Sequence, residues 1–256
     1  MLAERFRIHG AHGAGAMADV LLADHVGLRV RVAIKVLKAE FARSSDVVLR
    51  FLREARAMAR IANEHVVAVM DVGTGPSGTP YFVMEYLDGM DFSKLLAETG
   101  PLPIDGVVEY SLQALEGLAA AHRAGVVHRD LKPSNLFLVK RPDDFPLVKV
   151  LDFGISKHSA GAASSTVDLT QPATMLGSPC YMSPEQLVDA RAVDVRTDIW
   201  SFGVLLYELL TGELPFDGSI HAFLVDAICS NAPRPIGELR PDVPPELAAV
   251  LARCLE

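Results

Sequence analysis

Cysteine is scarce in this chain of 256 residues, where Cys180, Cys229 and Cys254 are the only three. They are too few and too scattered for a disulfide framework, and no Cys-x-x-Cys spacing points to zinc. A reducing compartment is the expectation that follows. Aromatic residues are sparse as well, at 7% with a single tryptophan. There is no surplus of positive charge: 24 Lys and Arg stand against 32 Asp and Glu, a formal net charge of −8. That balance argues against a nucleic-acid partner, because neutralising phosphates needs a basic face. Long hydrophobic runs are missing too. The most apolar stretch, Trp200 to Leu210, has 11 residues with Glu208 inside it, and the first residues have no apolar stretch of signal-peptide length. No membrane contact is expected from this segment.

What is present is a globular composition, half apolar and 22% charged, sufficient for one large core or two smaller ones. The acidity is uneven. Residues 1–86 carry 11 Lys/Arg against 9 Asp/Glu, whereas residues 87–256 carry 13 against 23, an asymmetry that indicates two parts with different electrostatic tasks. The first part reads as short strands at 20–25, 30–37 and 81–86, with a turn around Gly27. One helix signal interrupts them: after Ser44 and Ser45, apolar residues recur at Val48, Phe51, Ala55, Met58 and Ala62. Beyond residue 87 helices dominate. The segment 104–124 puts Val108, Leu112, Leu115, Leu118, Ala119 and His122 on one face and ends at Gly125, and further helices are expected at 194–211, 219–229 and 245–255. The fold class expected is α+β with a hinge near residue 87.

Three clusters carry chemistry. Gly13-Ala14-Gly15-Ala16-Met17-Ala18-Asp19-Val20 is a Gly-rich turn feeding a strand, and such a loop lets backbone N–H groups approach phosphate oxygens; alone it reads equally as a hairpin tip. It does not open a helix, which disfavours a dinucleotide-binding fingerprint. Next, Val32-Ala33-Ile34-Lys35 sets a lysine inside an apolar strand. A buried lysine needs a carboxylate, a phosphate or both, unless it snorkels to water. Glu54, flanking the Phe51 and Met58 face, is the carboxylate at hand, with an exposed pair to Arg50 as its alternative. Finally, His128-Arg129-Asp130-Leu131-Lys132-Pro133-Ser134-Asn135 packs polar groups between apolar runs, and Asp152-Phe153-Gly154 follows a strand. Phosphoryl transfer needs this set: a carboxylate for the incoming hydroxyl's proton, a cation for the γ-phosphate, and an amide and a carboxylate for a hard divalent ion.

With these motifs, the GSPCYMSPE segment at 177–185 and the DIWSFG segment at 198–203, the chain resembles a eukaryotic-type serine/threonine protein kinase catalytic domain, most like bacterial members. The resemblance implies a bilobal fold, with a small β-rich N-lobe holding one helix over 1–86 and a larger, mainly helical C-lobe over 87–256. It further implies that the chain stops before the last C-lobe helix. ATP and Mg²⁺, with Mn²⁺ as a substitute, are the implied cofactors. Gly13, Ala14, Gly15, Ala16, Met17, Ala18, Val20, Ala33 and Lys35 would line the nucleotide, with Met84 as gatekeeper, Glu85 and Leu87 as hinge and Asp91 near the ribose. Lys35 would pair with Glu54. Asp130 would be the base, Lys132 the γ-phosphate contact, and Asn135 and Asp152 the metal ligands.

Regulation and departures follow from the same resemblance. Arg129 and Lys157 would receive a phosphate placed by autophosphorylation on Thr170 or Thr174, and the Ser178 hydroxyl would bond Asp130 and Lys132. The expected partners are proteins with Ser/Thr acceptors, the chain itself included, and a transient dimer of kinase domains; signal transduction in the cytoplasm is the expected setting, with any anchor or sensor lying past Glu256. Three features depart from the pattern. Ala18 takes the place of the loop's third glycine, which predicts weaker ATP binding. Ser183 stands where alanine is common. Glu185 would be a buried carboxylate lacking its arginine partner, which predicts a marginally stable fold. A non-catalytic, nucleotide-holding module and a small-molecule kinase are the rival functions, the latter disfavoured by GSPCYMSPE.

Overall fold

A computed structural model describes residues 5–142, 145–154, 179–189, 193–216, 227–229 and 232–256. Lys157, Thr170, Thr174, Ser178 and most of the helix expected over 219–229 lie outside these residues. The first part is a five-stranded sheet built from β1 (Phe6–Ala14), β2 (Ala18–His25), β3 (Val30–Leu37), β4 (Val69–Thr74) and β5 (Pro80–Glu85), in the order β1-β2-β3-β5-β4. All neighbours are antiparallel. One helix, α1 (Ser45–Met58), interrupts the strands.

Strand alternation gives this sheet two apolar faces. Val32 and Ile34 point one way, into a small cluster with Phe6, Ala23, Tyr81 and Val83. Ala33 and Leu37 point the other way and join Phe51, Ala55, Met58, Phe82 and Met84 in the main core. Lys35, two residues from each of Ala33 and Leu37, therefore shares the face covered by α1. The 3.6-residue repeat of α1 buries Phe51, Glu54, Ala55 and Met58, so Glu54 is placed on the packed stripe of an amphipathic helix.

The first sheet ends at Glu85 and a second begins at β6 (Gly89–Asp91), which pairs with β7 (Leu136–Val139), itself paired with β8 (Leu147–Val150). Around this smaller sheet lie α2 (Phe92–Thr99), α3 (Ile104–Arg123), α4 (Pro184–Val188), α5 (Arg196–Thr211) and α6 (Pro245–Cys254). The 11-residue apolar run belongs to α5, which is buried on nearly every side, as a helix apolar all round must be. In α3 the buried face differs from the expected one. Val107, Ala114, Gly117, Leu118, Ala120 and Ala121 face the core, whereas Val108 and Leu112 are exposed. The packed stripe is rotated by one position because β8 and α5 both press on α3, and the 117–121 turn must be small enough to admit the segment at His65.

Two polar residues in this part respond to burial. The Glu185 carboxylate is exposed on α4, so the buried-charge penalty expected there does not arise. Glu208, on α5, accepts a 2.6 Å hydrogen bond from the Tyr181 hydroxyl. Burial pushes Glu208 above its ordinary value, against the smaller opposing effect of the Tyr181 bond, and pushes the Tyr181 phenol up as well. An acid whose folded pKa is raised contributes stability that is present below its unfolded value of 4.5 and is lost as pH rises through the folded value. Glu208→Gln removes this titration, so as pH rises above 4.5 the wild-type melting temperature should fall relative to that of the variant. Parallel pH profiles in thermal denaturation would refute it.

Candidate active site

The site lies where the two sheets meet, and Lys35 is its centre. Its ammonium donates to Glu54 Oε1 at 2.9 Å and pairs with Asp152 Oδ1 at 2.8 Å, and it lies 5.6 Å from the centre of the Phe82 ring. Burial alone would lower the Lys35 pKa; the Asp152 and then the Glu54 carboxylate reverse this and hold it above the ordinary lysine value. The two carboxylates therefore favour the charged form of Lys35. The snorkelling and Arg50-pair alternatives left open by the sequence are both excluded by this geometry.

The loop after α3 is shaped by Asp198, which has no exposure at all. Its Oδ2 accepts from the His128 N–H at 2.8 Å and lies 2.7 Å from His122 Nε2, while Oδ1 accepts from the Arg129 N–H at 2.8 Å. Arg129 has φ +64°, a left-handed conformation that a non-glycine residue adopts only when held there. The holding is done from both sides, since the Arg129 carbonyl accepts from Gln186 Nε2 at 2.8 Å. Gln186 is oriented by Thr197, whose hydroxyl lies 2.7 Å from that of Ser183. Ser183 also caps α4 by accepting from the Gln186 N–H, so its hydroxyl has a task here that alanine would leave undone. His128 accepts from the Asp130 N–H at Nδ1 and thus carries its hydrogen on Nε2, which meets the Leu151 carbonyl at 2.8 Å.

Asp130 and its neighbours then follow. Asn135 Nδ2 donates to the Asp130 carbonyl at 2.7 Å and to Asp130 Oδ2 at 3.1 Å, leaving the Asn135 amide oxygen as the free acceptor of that side chain. Lys132 Nζ lies 3.2 Å from Asp130 Oδ2. Leu151 N–H donates to the Asn135 carbonyl at 2.8 Å, and Gly154 N–H to the His128 carbonyl at 2.7 Å, which lays the Asp152 segment along the loop. A Cβ on Gly154 would come 2.8 Å from Asp130 Cβ and 3.1 Å from the His128 carbonyl oxygen. Glycine is required there by close approach.

The structure thus brings together Lys35, Glu54, Asp130, Lys132, Asn135 and Asp152. Met84, buried on β5, stands opposite Ala33 in the sheet, and Val20 opposite Lys35. Gly13, Ala14, Gly15 and Ala16 are exposed at the β1–β2 turn, where Gly15 N–H donates to the Ala18 carbonyl; Ala18 itself is buried in the core. Asp91 caps α2, accepting from the Lys94 N–H at 3.0 Å. Among the described residues no group of three or more His, Cys, Asp or Glu side chains is arranged to hold a metal ion. The oxygen donors of Asn135 and Asp152 fit a hard divalent cation that completes its shell with substrate phosphates. Sequence reasoning named the reacting groups and missed their supports: His122, Gln186, Thr197 and the side-chain role of Asp198. One signal was available, a lone carboxylate opening an otherwise apolar helix.

A buried lysine between two carboxylates, a carboxylate and lysine on one loop, and an amide beside them are the groups that a phosphoryl-transfer site of the kinase class brings together. The model of the protein kinase domain family matches residues 6–256, and the chain belongs to that family. It is 39% identical over all of its length to a probable serine/threonine-protein kinase of Clostridium acetobutylicum, covering 37% of that protein. Against serine/threonine-protein kinase Pkn1 of Myxococcus xanthus the identity is 41%, over 98% of this chain and 35% of the relative. Against PknB of Mycolicibacterium smegmatis it is 38%, over 99% and 40%. The chain therefore spans well under half the length of these curated relatives. Among solved structures, the Mycobacterium tuberculosis PknI kinase domain matches with TM-score 0.73 and 28% identity, over 100% of this chain and 89% of that one. Rad53 1–466 in complex with AMP-PNP matches with TM-score 0.77 and 27% identity, over 98% and 60%. The chain is accordingly a protein kinase domain with a β-rich N-lobe and a helical C-lobe.

The close packing at Gly154 generates a test. Gly154→Ala should displace Asp130 and lower turnover by roughly 10–100-fold, the scale of a 1 Å misplacement, with unchanged far-UV circular dichroism; wild-type turnover would contradict the packing argument.

Proposed function

We propose that this domain transfers the γ-phosphoryl group of ATP to serine and threonine hydroxyls of protein substrates through the six groups gathered at Lys35. The observation that carries the reading is the bridging of Lys35 between Glu54 and Asp152, which joins α1 of the N-lobe to the segment that follows β8. In this reading Lys35 orients the α- and β-phosphates, with Glu54 fixing the ammonium. Asp130 accepts the proton of the incoming hydroxyl as its oxygen bonds to phosphorus and ADP leaves. Lys132 offsets charge on the transferred group. Asn135 and Asp152 hold Mg²⁺, with Mn²⁺ as a substitute, and that ion when bound neutralises charge on the phosphate oxygens. Gly13 to Ala18, Val20 and Ala33 cover the nucleotide, Met84 limits the depth of the adenine pocket, Glu85 and Leu87 offer backbone groups to adenine, and Asp91 stands by the ribose.

The lobes divide at residues 86 and 87, and the acidic residues of 87–256 favour basic peptide segments. Substrates are proteins with Ser/Thr acceptors, this chain among them through a transient dimer, and the setting is cytoplasmic signalling. Arg129 supports a regulatory role: its Nε is buried and has no hydrogen-bond partner among the described residues, and a buried unpaired guanidinium nitrogen is a site for a phosphate oxygen. Arg129 with Lys157 would receive phospho-Thr170 or phospho-Thr174, while Ser178 bonds Asp130 and Lys132.

Two measurements check this. Radiolabel from ATP with Mg²⁺ should pass to the chain or to a basic protein substrate, and Asp130→Asn should slow that transfer by roughly 100–10,000-fold, the range of general-base catalysis; transfer at the wild-type rate would remove Asp130 from that role. Mass spectrometry of active enzyme should find phosphate on Thr170 or Thr174, and active enzyme without phosphate between residues 156 and 176 would overturn the autophosphorylation reading.

A further inference from the structure

Lys149 is a buried cation that the phosphoryl-transfer chemistry does not use. On β8 it sits between Val148 and Val150, both fully buried, so strand alternation turns its side chain to the opposite face. That face is also covered, and Lys149 is only 8% exposed. Its ammonium donates to Glu85 Oε1 at 2.8 Å. The same oxygen accepts the Ala68 N–H at 2.8 Å, and the Glu85 N–H returns a 3.0 Å bond to the Ala68 carbonyl. Ala68 belongs to a segment stitched to β8: Val67 N–H donates to the Val150 carbonyl at 3.0 Å, Val150 N–H donates to the His65 carbonyl at 2.8 Å, and His65 Nδ1 lies 3.0 Å from the Val148 carbonyl.

Three segments therefore meet at one carboxylate: the end of β5, the entry to β4, and the strand that runs on through Leu151 to Asp152. Lys149 is the buried member of this pair, its side chain 9% exposed against 29% for Glu85, and the pair acts as a device of registry because the ammonium cannot leave the carboxylate without being left buried and unpaired. The end of β5 has few other restraints, since its sheet pairing stops at Glu85 and the next strand begins at Gly89.

We propose that Lys149 is a positioning residue for nucleotide binding, locking the Glu85 backbone in the orientation that meets adenine. This rests on the assignment of Glu85 and Leu87 to the hinge. Without Lys149 the hinge samples other orientations, and apparent affinity falls in proportion to the competent fraction. Asp130, Lys132 and Asn135 are held by Asp198 and Gln186 rather than by this contact, so the chemical step on bound ATP is left alone.

The test compares wild type, Lys149→Met and Lys149→Arg by titration with a fluorescent ATP analogue and by steady-state transfer. Lys149→Met should raise the analogue Kd and the KM for ATP about five- to tenfold, as a competent fraction near 10–20% requires, with kcat within about twofold of wild type; Lys149→Arg, which restores a donor cation, should recover most of the affinity. Unchanged Kd and KM in Lys149→Met would overturn the proposal, as would a fall in kcat with KM unmoved, the mark of a merely structural role. Should Lys149→Met fail to fold, Glu85→Gln, which keeps the Ala68 bond and uncharges the pair, must show the same Kd increase or the proposal fails. A wild-type chain that bound no analogue would instead refute the kinase reading on which the proposal stands.

Discussion

A single ammonium group ties the molecule together. Lys35 sits on the inner face of a five-stranded sheet, where an unpaired charge would be untenable, and its two carboxylates come from different places: Glu54 from the helix packed on that sheet, Asp152 from the segment that follows β8. Burial works against the charge and the two carboxylates outweigh it. The same contacts that make a charged lysine tolerable in the core thus set the distance between α1 and the Asp152 segment. Phosphate oxygens entering there would meet a cation already oriented, with no reorganisation needed at the moment of reaction.

The C-lobe solves a different difficulty, which is how to present Asp130, Lys132 and Asn135 on a loop without letting it move. Asp198 does this from inside α5, with one carboxylate accepting two consecutive backbone N–H groups and facing His122. The left-handed Arg129 between them is a strained residue, persisting because Asp198 and Gln186 determine its backbone from both sides. Ser183 and Thr197 extend that support into α4 and α5. The α4 segment thus shares a polar network with the loop that carries Asp130.

Burial of polar groups in this domain follows a consistent division. Glu54, Lys149 and Asp198 are buried and paired, whereas Glu185 is exposed and needs no partner. Glu208 is the exception, since it is half-buried beside a phenol rather than a cation, and partial burial raises its pKa against the opposing effect of the Tyr181 bond.

Much of this was legible in the order of residues. β3 spans Val30–Leu37 as its alternation indicated, α1 begins at Ser45, the second of the paired serines, and α3 stops just short of Gly125, because these features depend on local periodicity and end signals. The residues gathered at the site were legible too, since a carboxylate, a lysine and an amide crowded into one short loop stand out from an ordinary turn. Tertiary structure decided the rest. Which stripe of α3 is buried depended on β8 and α5 pressing from two directions, and left Val108 and Leu112 outside. Whether Glu54 met Lys35 or Arg50 depended on the sheet beneath α1. The supports at Asp198, Gln186 and Lys149 are separated from what they hold by 57 to 70 residues, and no local pattern records such a pairing. Sequence alone determined what chemistry this protein has, because functional groups are a matter of residue type; only the folded chain decided what holds those groups still, because support is a matter of distance.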